Sequence, residues 1–317
     1  MNARPYQVAS PIDAPTVPLG GGLVAPPPSA AVIERRIVEI AEAYGVVAAP
    51  RLISAKVTAN EDTNSVVSLD ILADGTEGPL FVVGLDFSET MHQARCVLQS
   101  GARRLVEGRT MRVVDAFVTP LEETRSLHAP IVILRDDVLS IGLDLSENGT
   151  TFSETDRVIA RCLVLRSRDG SRLAGVADEI AAFIMGEGEW YAAACQFSPD
   201  TSVNGDQSEQ NVNDDVIVQA TIVAAPQSVV EGTVSASSVK AHIGNYDVSP
   251  GIGGVLTGTV SAVDQGEAVN VYQPHLRYPV RRGQRIGIRA EYPTGTAVPC
   301  RFVVLGRRLI SGALVNL

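Results

Sequence analysis

Tyr278-Pro279-Val280 leads through Arg282-Gly283-Gln284 into Arg285-Ile286-Gly287-Ile288-Arg289-Ala290, and a second turn, Pro293-Thr294-Gly295, precedes Cys300-Arg301-Phe302-Val303-Val304-Leu305. Short apolar runs closed off by Gly and Pro turns at even spacing are the pattern of an all-β sandwich or jelly roll. Reading back towards the middle of the chain, Val255 to Val260, Val230 to Ile243 and Ile217 to Val223 have the same texture. Residues 216–317 are therefore expected to form an all-β, jelly-roll-like domain. The stretch before it, 199–215, is polar, contains Asn204-Gly205 and has almost no apolar anchors, so it reads as a linker.

Further back, period-two alternation returns. Leu52 to Thr58 and Val66 to Leu72 alternate, and Leu80-Phe81-Val82-Val83-Gly84-Leu85 reads as a strand buried on both faces. Strands are also expected at 111–118, 131–134, 139–145, 157–166 and 189–197. Asp169-Gly170, between Val164-Leu165 and Leu173, is a hairpin signal. Three segments read as helical. Ile33, Ile37, Ile40, Ala41 and Tyr44 fall at helical spacing, with Gly45 placed to end the helix. Residues 88–106 carry Ser88 as an N-cap before Met91, Ala94, Arg95 and Leu98, and residues 174–186 read as helical or mixed. Residues 1–30, with Pro5, Pro11, Pro15, Pro18, Pro26, Pro27, Pro28 and Gly20-Gly21-Gly22, cannot fold alone and read as an arm. It is either a disordered tail or a segment that orders against a neighbouring subunit. The fold class that follows is mainly β: two tandem β-sandwich or jelly-roll-like domains, at 31–198 and 216–317, with a few short helices and an extended N-terminal arm.

Composition narrows the function. Hydrophobic residues make up 45% of the 317 residues and aromatic residues 5%, so the core is aliphatic. Stacked-ring surfaces, on which sugar-binding and single-strand nucleic-acid proteins depend, are disfavoured. A formal net charge of −10 argues against binding duplex nucleic acid, which needs a basic face. Four cysteines, Cys96, Cys162, Cys195 and Cys300, lie far apart among apolar neighbours and read as buried thiols of a reducing compartment. No run of residues approaches a membrane span, and the first residues do not lead into a secretory h-region. A soluble protein made in the cytoplasm is expected.

Motifs for chemistry are sparse. Gly251-Ile252-Gly253-Gly254 lacks the third glycine of a dinucleotide loop, since position 256 is Leu256. His92 and Cys96 would lie one turn apart on a helix, but no further ligands stand near them in sequence, and a packed face is the better reading. Asp200, Ser202, Asn204 and Asp206 offer oxygen ligands at alternate positions, as in the first half of a calcium loop. The twelfth position is Asn211 rather than a carboxylate, so an Asn-Gly turn in a solvated linker is favoured over calcium. No other cofactor is expected. Asn148-Gly149-Thr150 reads as a plain turn. Arg281, Arg282, Arg285, Arg289, Arg301, Arg307 and Arg308 gather positive charge near the C-terminus. They suit either an interface with acidic neighbours or a solvated strand face with local ion pairs.

The Pro/Gly-rich arm, the short helix after it, the two β-rich units and the closing strands from Tyr278 to Leu309 together resemble a bacteriophage or viral virion protein of the jelly-roll kind. Double-jelly-roll major capsid proteins carry two such units in one subunit and form pseudo-hexagonal trimers. The resemblance implies a capsid or capsid-associated subunit, not an enzyme, located in the virion, that assembles with copies of itself and other virion proteins through its arm and β faces. The alternatives are a β-sandwich ligand-binding or adhesion module and, least favoured, an enzyme whose site forms only in three dimensions.

Overall fold

Leu52 to Lys56, Val66 to Leu72 and Leu80 to Leu85 all lie in strands of the computed structural model, which describes residues 7–8, 30–58, 65–72, 79–107, 111–117, 127–134, 136–167, 170–197, 206–225, 238–244, 246–247, 269–273, 278–291 and 300–309. In chain order the first elements are β1 (Gln7–Val8), α1 (Ala30–Ala43), β2 (Val47–Lys56), β3 (Val66–Leu72), β4 (Leu80–Phe87), β5 (Arg95–Ser100), β6 (Arg103–Arg104), β7 (Val106–Glu107) and α2 (Val113–Phe117). They are followed by β8 (Ile131–Ile133), β9 (Val138–Asp144), β10 (Arg157–Arg166), α3 (Gly170–Glu187), β11 (Glu189–Phe197), β12 (Asp206–Asn211) and β13 (Asp215–Ala225). The last are β14 (Ser238–Ile243), β15 (Tyr246–Asp247), β16 (Val269–Gln273), β17 (Tyr278–Val280), β18 (Arg285–Glu291) and β19 (Cys300–Leu309). The protein is mainly β, and the chain separates into two compact units. An N-terminal unit holds Leu23–Ala192 and Gly306–Leu317, and a C-terminal unit holds Met1–Gly22 and Ala193–Leu305.

In the N-terminal unit one sheet has the order β2-β10-β4-β8 and the other β3-β9-β5-β6. Numbering these eight strands along the chain gives 1-8-3-6 and 2-7-4-5, the double Greek key of a jelly roll. Every pairing in both sheets is antiparallel. The inner face follows from the pleat: Val158, Ala160, Cys162 and Val164 of β10 are buried, as are Leu139, Ile141 and Leu143 of β9. On the other face of β4 and β10, Phe81, Val83, Leu163 and Leu165 pack with Ile33, Ile37, Ile40 and Ala41 of α1 and Val176, Ala177, Ile180, Ala181 and Ile184 of α3. That second cover is why β4 is apolar at consecutive positions rather than alternating. Truncating Ile37, fully buried in this layer, is the kind of change that costs about 2–5 kcal/mol. α1 closes with Gly45 at φ 71, Val46 N–H donating to Ala41 O and Gly45 N–H to Glu42 O, the Schellman arrangement.

In the C-terminal unit β11 from Ala193 onward, β19 as far as Leu305, β13 and β16 lie side by side in that order, with β17 also on β13, and the second sheet runs β12-β18-β14-β15. Counting β11 to β16, then β18 and β19, gives 1-8-3-6 and 2-7-4-5 again. β1 adds in parallel outside β16, with Gln7 opposite Val271 and Val8 opposite Tyr272.

Four expectations are corrected. Residues 88–106 are not one helix: a 3-10 turn at Glu89–Gln93 gives way to β5. Cys96, Leu98 and Ser100 alternate inward there, and Ser88 caps nothing but bonds through Oγ to both N–H and C=O of Arg157. The strand expected at 111–118 is a helix over Val113–Phe117, with Val113, Ala116 and Phe117 buried at helical spacing, and residue 118 lies outside the described residues. No hairpin follows Asp169-Gly170. α3 starts at Gly170, and the long apolar stripe from Leu173 to Ile184 outweighs the turn signal. The supposed linker 199–215 contains β12, whose residues Asp206-Gln207-Ser208-Glu209-Gln210-Asn211 are all polar and pair by backbone with β18. The strand expected at 255–260 lies outside the described residues, as does the rest of the arm beyond β1.

Candidate functional site

α3 ends where Gly188 N–H donates to Ile184 O, and the chain enters β11 at once. This places Glu189, fully buried, between β8 and the end of β19. Its Oε1 accepts from Val132 N–H at 3.1 Å and from Arg103 Nη2 at 3.3 Å. Its Oε2 accepts from Arg103 Nε at 3.2 Å and from Arg308 Nη2 at 2.9 Å. Arg103 Nη2 also donates to Ser100 Oγ at 3.0 Å and to Val132 O, while Arg308 Nη1 donates to Arg104 O. Beside this group Arg307 Nη2 donates to His128 O, and His128 Nε2 meets Gly306 O. Burial pulls the Arg307 guanidinium down to about 10, opposed by the nearby Glu187 charge. Trp190 stacks on Phe117 with ring centroids 4.9 Å apart, and His128 lies 5.8 Å from the Trp190 ring.

A carboxylate offers about four lone-pair directions, and these four contacts use them. Each oxygen of Glu189 thus accepts two hydrogen bonds, and the carboxylate ties β6 and β8 to the stretches of β11 and β19 that belong to the N-terminal unit. Arg307 and Arg308 belong to this core. Of the arginine strip expected at the surface, these two are corrected to buried positions. Arg285 does reach an acid: its Nη1 lies 2.7 Å from Glu209 Oε2, and His242 Nε2 lies 3.4 Å from Glu209 Oε1. Arg282 is held by its backbone N–H, which donates to Asp215 Oδ1. The His242 ring lies against the Cα of Gly287, on the strand between, where any Cβ would collide with it.

The other residues singled out in the sequence do not converge. Asp200, Ser202 and Asn204 lie outside the described residues, and Asp206 opens β12. No group of three or more His, Cys, Asp or Glu among the described residues could hold a metal. His92 sits in the 3-10 turn with Nε2 at 3.2 Å from Phe87 O. Cys96 points into the core from β5, its thiol pushed up to about 12 by burial. Burial pushes Cys162 and Cys195 to about 12 as well, which leaves little thiolate. Asn148 and Gly149 form a turn, with Gly149 at φ 63. Gly251 to Gly254 lies outside the described residues.

The outer surface of the N-terminal unit carries apolar side chains that sequence reading did not single out. Leu52 on β2 is 71% exposed, and Val66 and Leu72 on β3 are 56% and 61% exposed. β2 and β3 each close one end of a sheet. Val66, Ser68, Asp70 and Leu72 share a face with Ser140 and Asp144 of β9 and Val97 of β5 by register. On that face Ser140 Oγ donates to Asp70 Oδ1 and Arg95 pairs with Glu147. Asp144 is held below the usual carboxylate range by its side-chain and backbone hydrogen bonds to Ser146. No helix among the described residues is long and apolar enough to cross a membrane.

No family model matches the chain, and no curated protein matches it in sequence. Among solved structures it is similar to the major capsid protein P2 of bacteriophage PM2, at 10% identity and a TM-score of 0.38, covering 82% of this chain and 98% of that one. It is also similar to the plant receptor-like kinase FER, at 9% identity, a TM-score of 0.22 and coverage of 81% and 87%. The ANX2 ectodomain of Arabidopsis thaliana stands at 10%, 0.22, and coverage of 83% and 90%. Overlaps this loose leave the function to be argued from the chain's own strand order and surfaces.

Proposed function

We propose that this chain is a virion structural subunit, capsid or capsid-associated, that assembles with copies of itself and with other virion proteins and catalyses nothing. The observation that carries the reading is the recurrence of one strand order, 1-8-3-6 over 2-7-4-5, in each of the two compact units. Jelly rolls serve lectins and cupins as well as viral shells, so a single copy of the order would not choose among them. Two copies in one chain, together with an arm whose β1 adds to a sheet edge, suit a subunit that presents many faces to neighbours. Exposed Leu52, Val66 and Leu72 add apolar contact on such faces. Buried Glu189, with two arginines and a backbone amide as partners, is the arrangement expected of a structural tie between strands.

Light scattering after size-exclusion chromatography, with negative-stain images of the same fractions, tests the reading. Trimers, rings or shells are expected. A strict monomer at every concentration and salt would overturn it and favour a binding module or an enzyme. Deleting residues 1–30 is expected to leave the circular dichroism of the folded units unchanged while weakening assembly. Normal assembly of the deletion variant would remove the arm from the proposal.

A further inference from the structure

Building on that reading, we infer that the arm links subunits by strand exchange: β1 of one copy occupies the outer edge of β16 in another copy. β16 has β13 on one side, and β1 takes its other side in parallel, with Gln7 opposite Val271 and Val8 opposite Tyr272. The two rungs among the described residues are few bonds for ordering an arm, because each residue fixed loses conformational freedom that only contacts can offset. The same rungs form identically whichever copy supplies β1, the condition under which elements are swapped between protomers. Parallel pairing also needs no tight turn from the strand it joins, so nothing in the register ties β1 to its own chain.

Chain length permits the exchange. Twenty-one residues separate Val8 from Ala30 at the start of α1, and they include Pro11, Pro15, Pro18, Pro26, Pro27 and Pro28. At the extension typical of proline-rich linkers they have a reach of roughly 65 Å, against about 40 Å across a compact unit of this size. A lattice holds neighbouring copies at high effective concentration, which favours pairing between them. It also leaves no bare β16 edge for unspecific pairing.

The register supplies the test. Facing Cα atoms on neighbouring strands lie about 5 Å apart, within disulfide reach. Copies carrying only Gln7→Cys are mixed with copies carrying only Val271→Cys, assembled and oxidised, then run on a non-reducing gel. Wild type, with its four native cysteines, serves as background, and three of these, Cys96, Cys162 and Cys195, are buried. The expected result is a shift of chains to twice the monomer mass in the mixture and not in either variant alone. The double variant, Gln7→Cys with Val271→Cys, closes within the chain in unassembled subunits if β1 pairs as described. Particles that form normally, yet give only intrachain closure and no linked dimer, would overturn the exchange while leaving the structural reading intact. If the double variant closes nowhere, the β1 pairing itself is wrong and the inference falls. Absence of any particle in the scattering measurement would overturn the structural reading, and the exchange with it.

Discussion

Glu189 in the N-terminal unit and Glu209 in the C-terminal unit each hold an arginine and join neighbouring strands, but the side chain of one is fully buried and that of the other is 24% exposed. The chemistry is the same and its consequences differ. Glu189 is shut off from bulk solvent, so its charge is matched by Arg103, Arg308 and the Val132 amide together. Around Glu209 solvent screens the charge, and Arg285 and His242 add register more than stability. An ion pair's weight in this protein is set by its burial, not by its length.

Glu189→Gln breaks the comparison at its strongest point. It preserves volume but leaves the Arg103 and Arg308 guanidiniums in the core without their counter-charge. The expected loss is about 3–5 kcal/mol, read from urea unfolding. A loss below about 1 kcal/mol would mean that water reaches the group, contrary to the burial of Ser100, Glu189 and Arg308. Replacing all three charged members, with Arg103→Met, Glu189→Leu and Arg308→Met, is expected to recover only part of the loss: the buried charges are gone, but the Val132 N–H loses its acceptor.

Gly188 sets the angle at which the chain enters β11, and Gly188→Ala is the next largest effect. Its φ is 104, and a Cβ there would stand 2.7 Å from Arg307 Cβ. Both the backbone conformation and the contact oppose a side chain, and about 1–3 kcal/mol is expected. A neutral Gly188→Ala would show that β11 and β19 can part without disturbing the Glu189 group.

Much of the N-terminal unit was legible, because residues such as Ile33, Ile37, Leu69 and Ile71 state their period directly. The jelly-roll class followed from strand texture near the C-terminus. β12 was not legible: its six polar residues are held by backbone pairing with β18, and hydrophobic periodicity cannot find a strand without apolar side chains. β5 was misread because Ser88, Met91, Ala94 and Leu98 satisfy helical spacing while pairing with β9 favours extension. Neither was the buried arginine pair legible. Arg307-Arg308 in sequence looks like surface charge, and the acceptors, Glu189 for Arg308 and the His128 carbonyl for Arg307, lie more than a hundred residues earlier. Only the Glu189-Trp190-Tyr191 start of a continuously buried strand hinted that a charge there would need partners.

The smallest effect sharpens the comparison from the other side. Glu209→Gln removes the ion pair with Arg285 and the contact with His242 yet leaves the β12–β18 backbone ladder in place. With Arg285 63% exposed, water takes over the freed guanidinium, so a loss of about 0.2–1 kcal/mol is expected. Because the Debye length shrinks to about 3 Å in molar salt, the difference between wild type and Glu209→Gln should fade as salt is raised. That between wild type and Glu189→Gln should persist, since ions do not enter the core. Parallel urea titrations of the two variants in low and high salt read both at once. Equal salt sensitivity would mean that burial does not separate the two carboxylates.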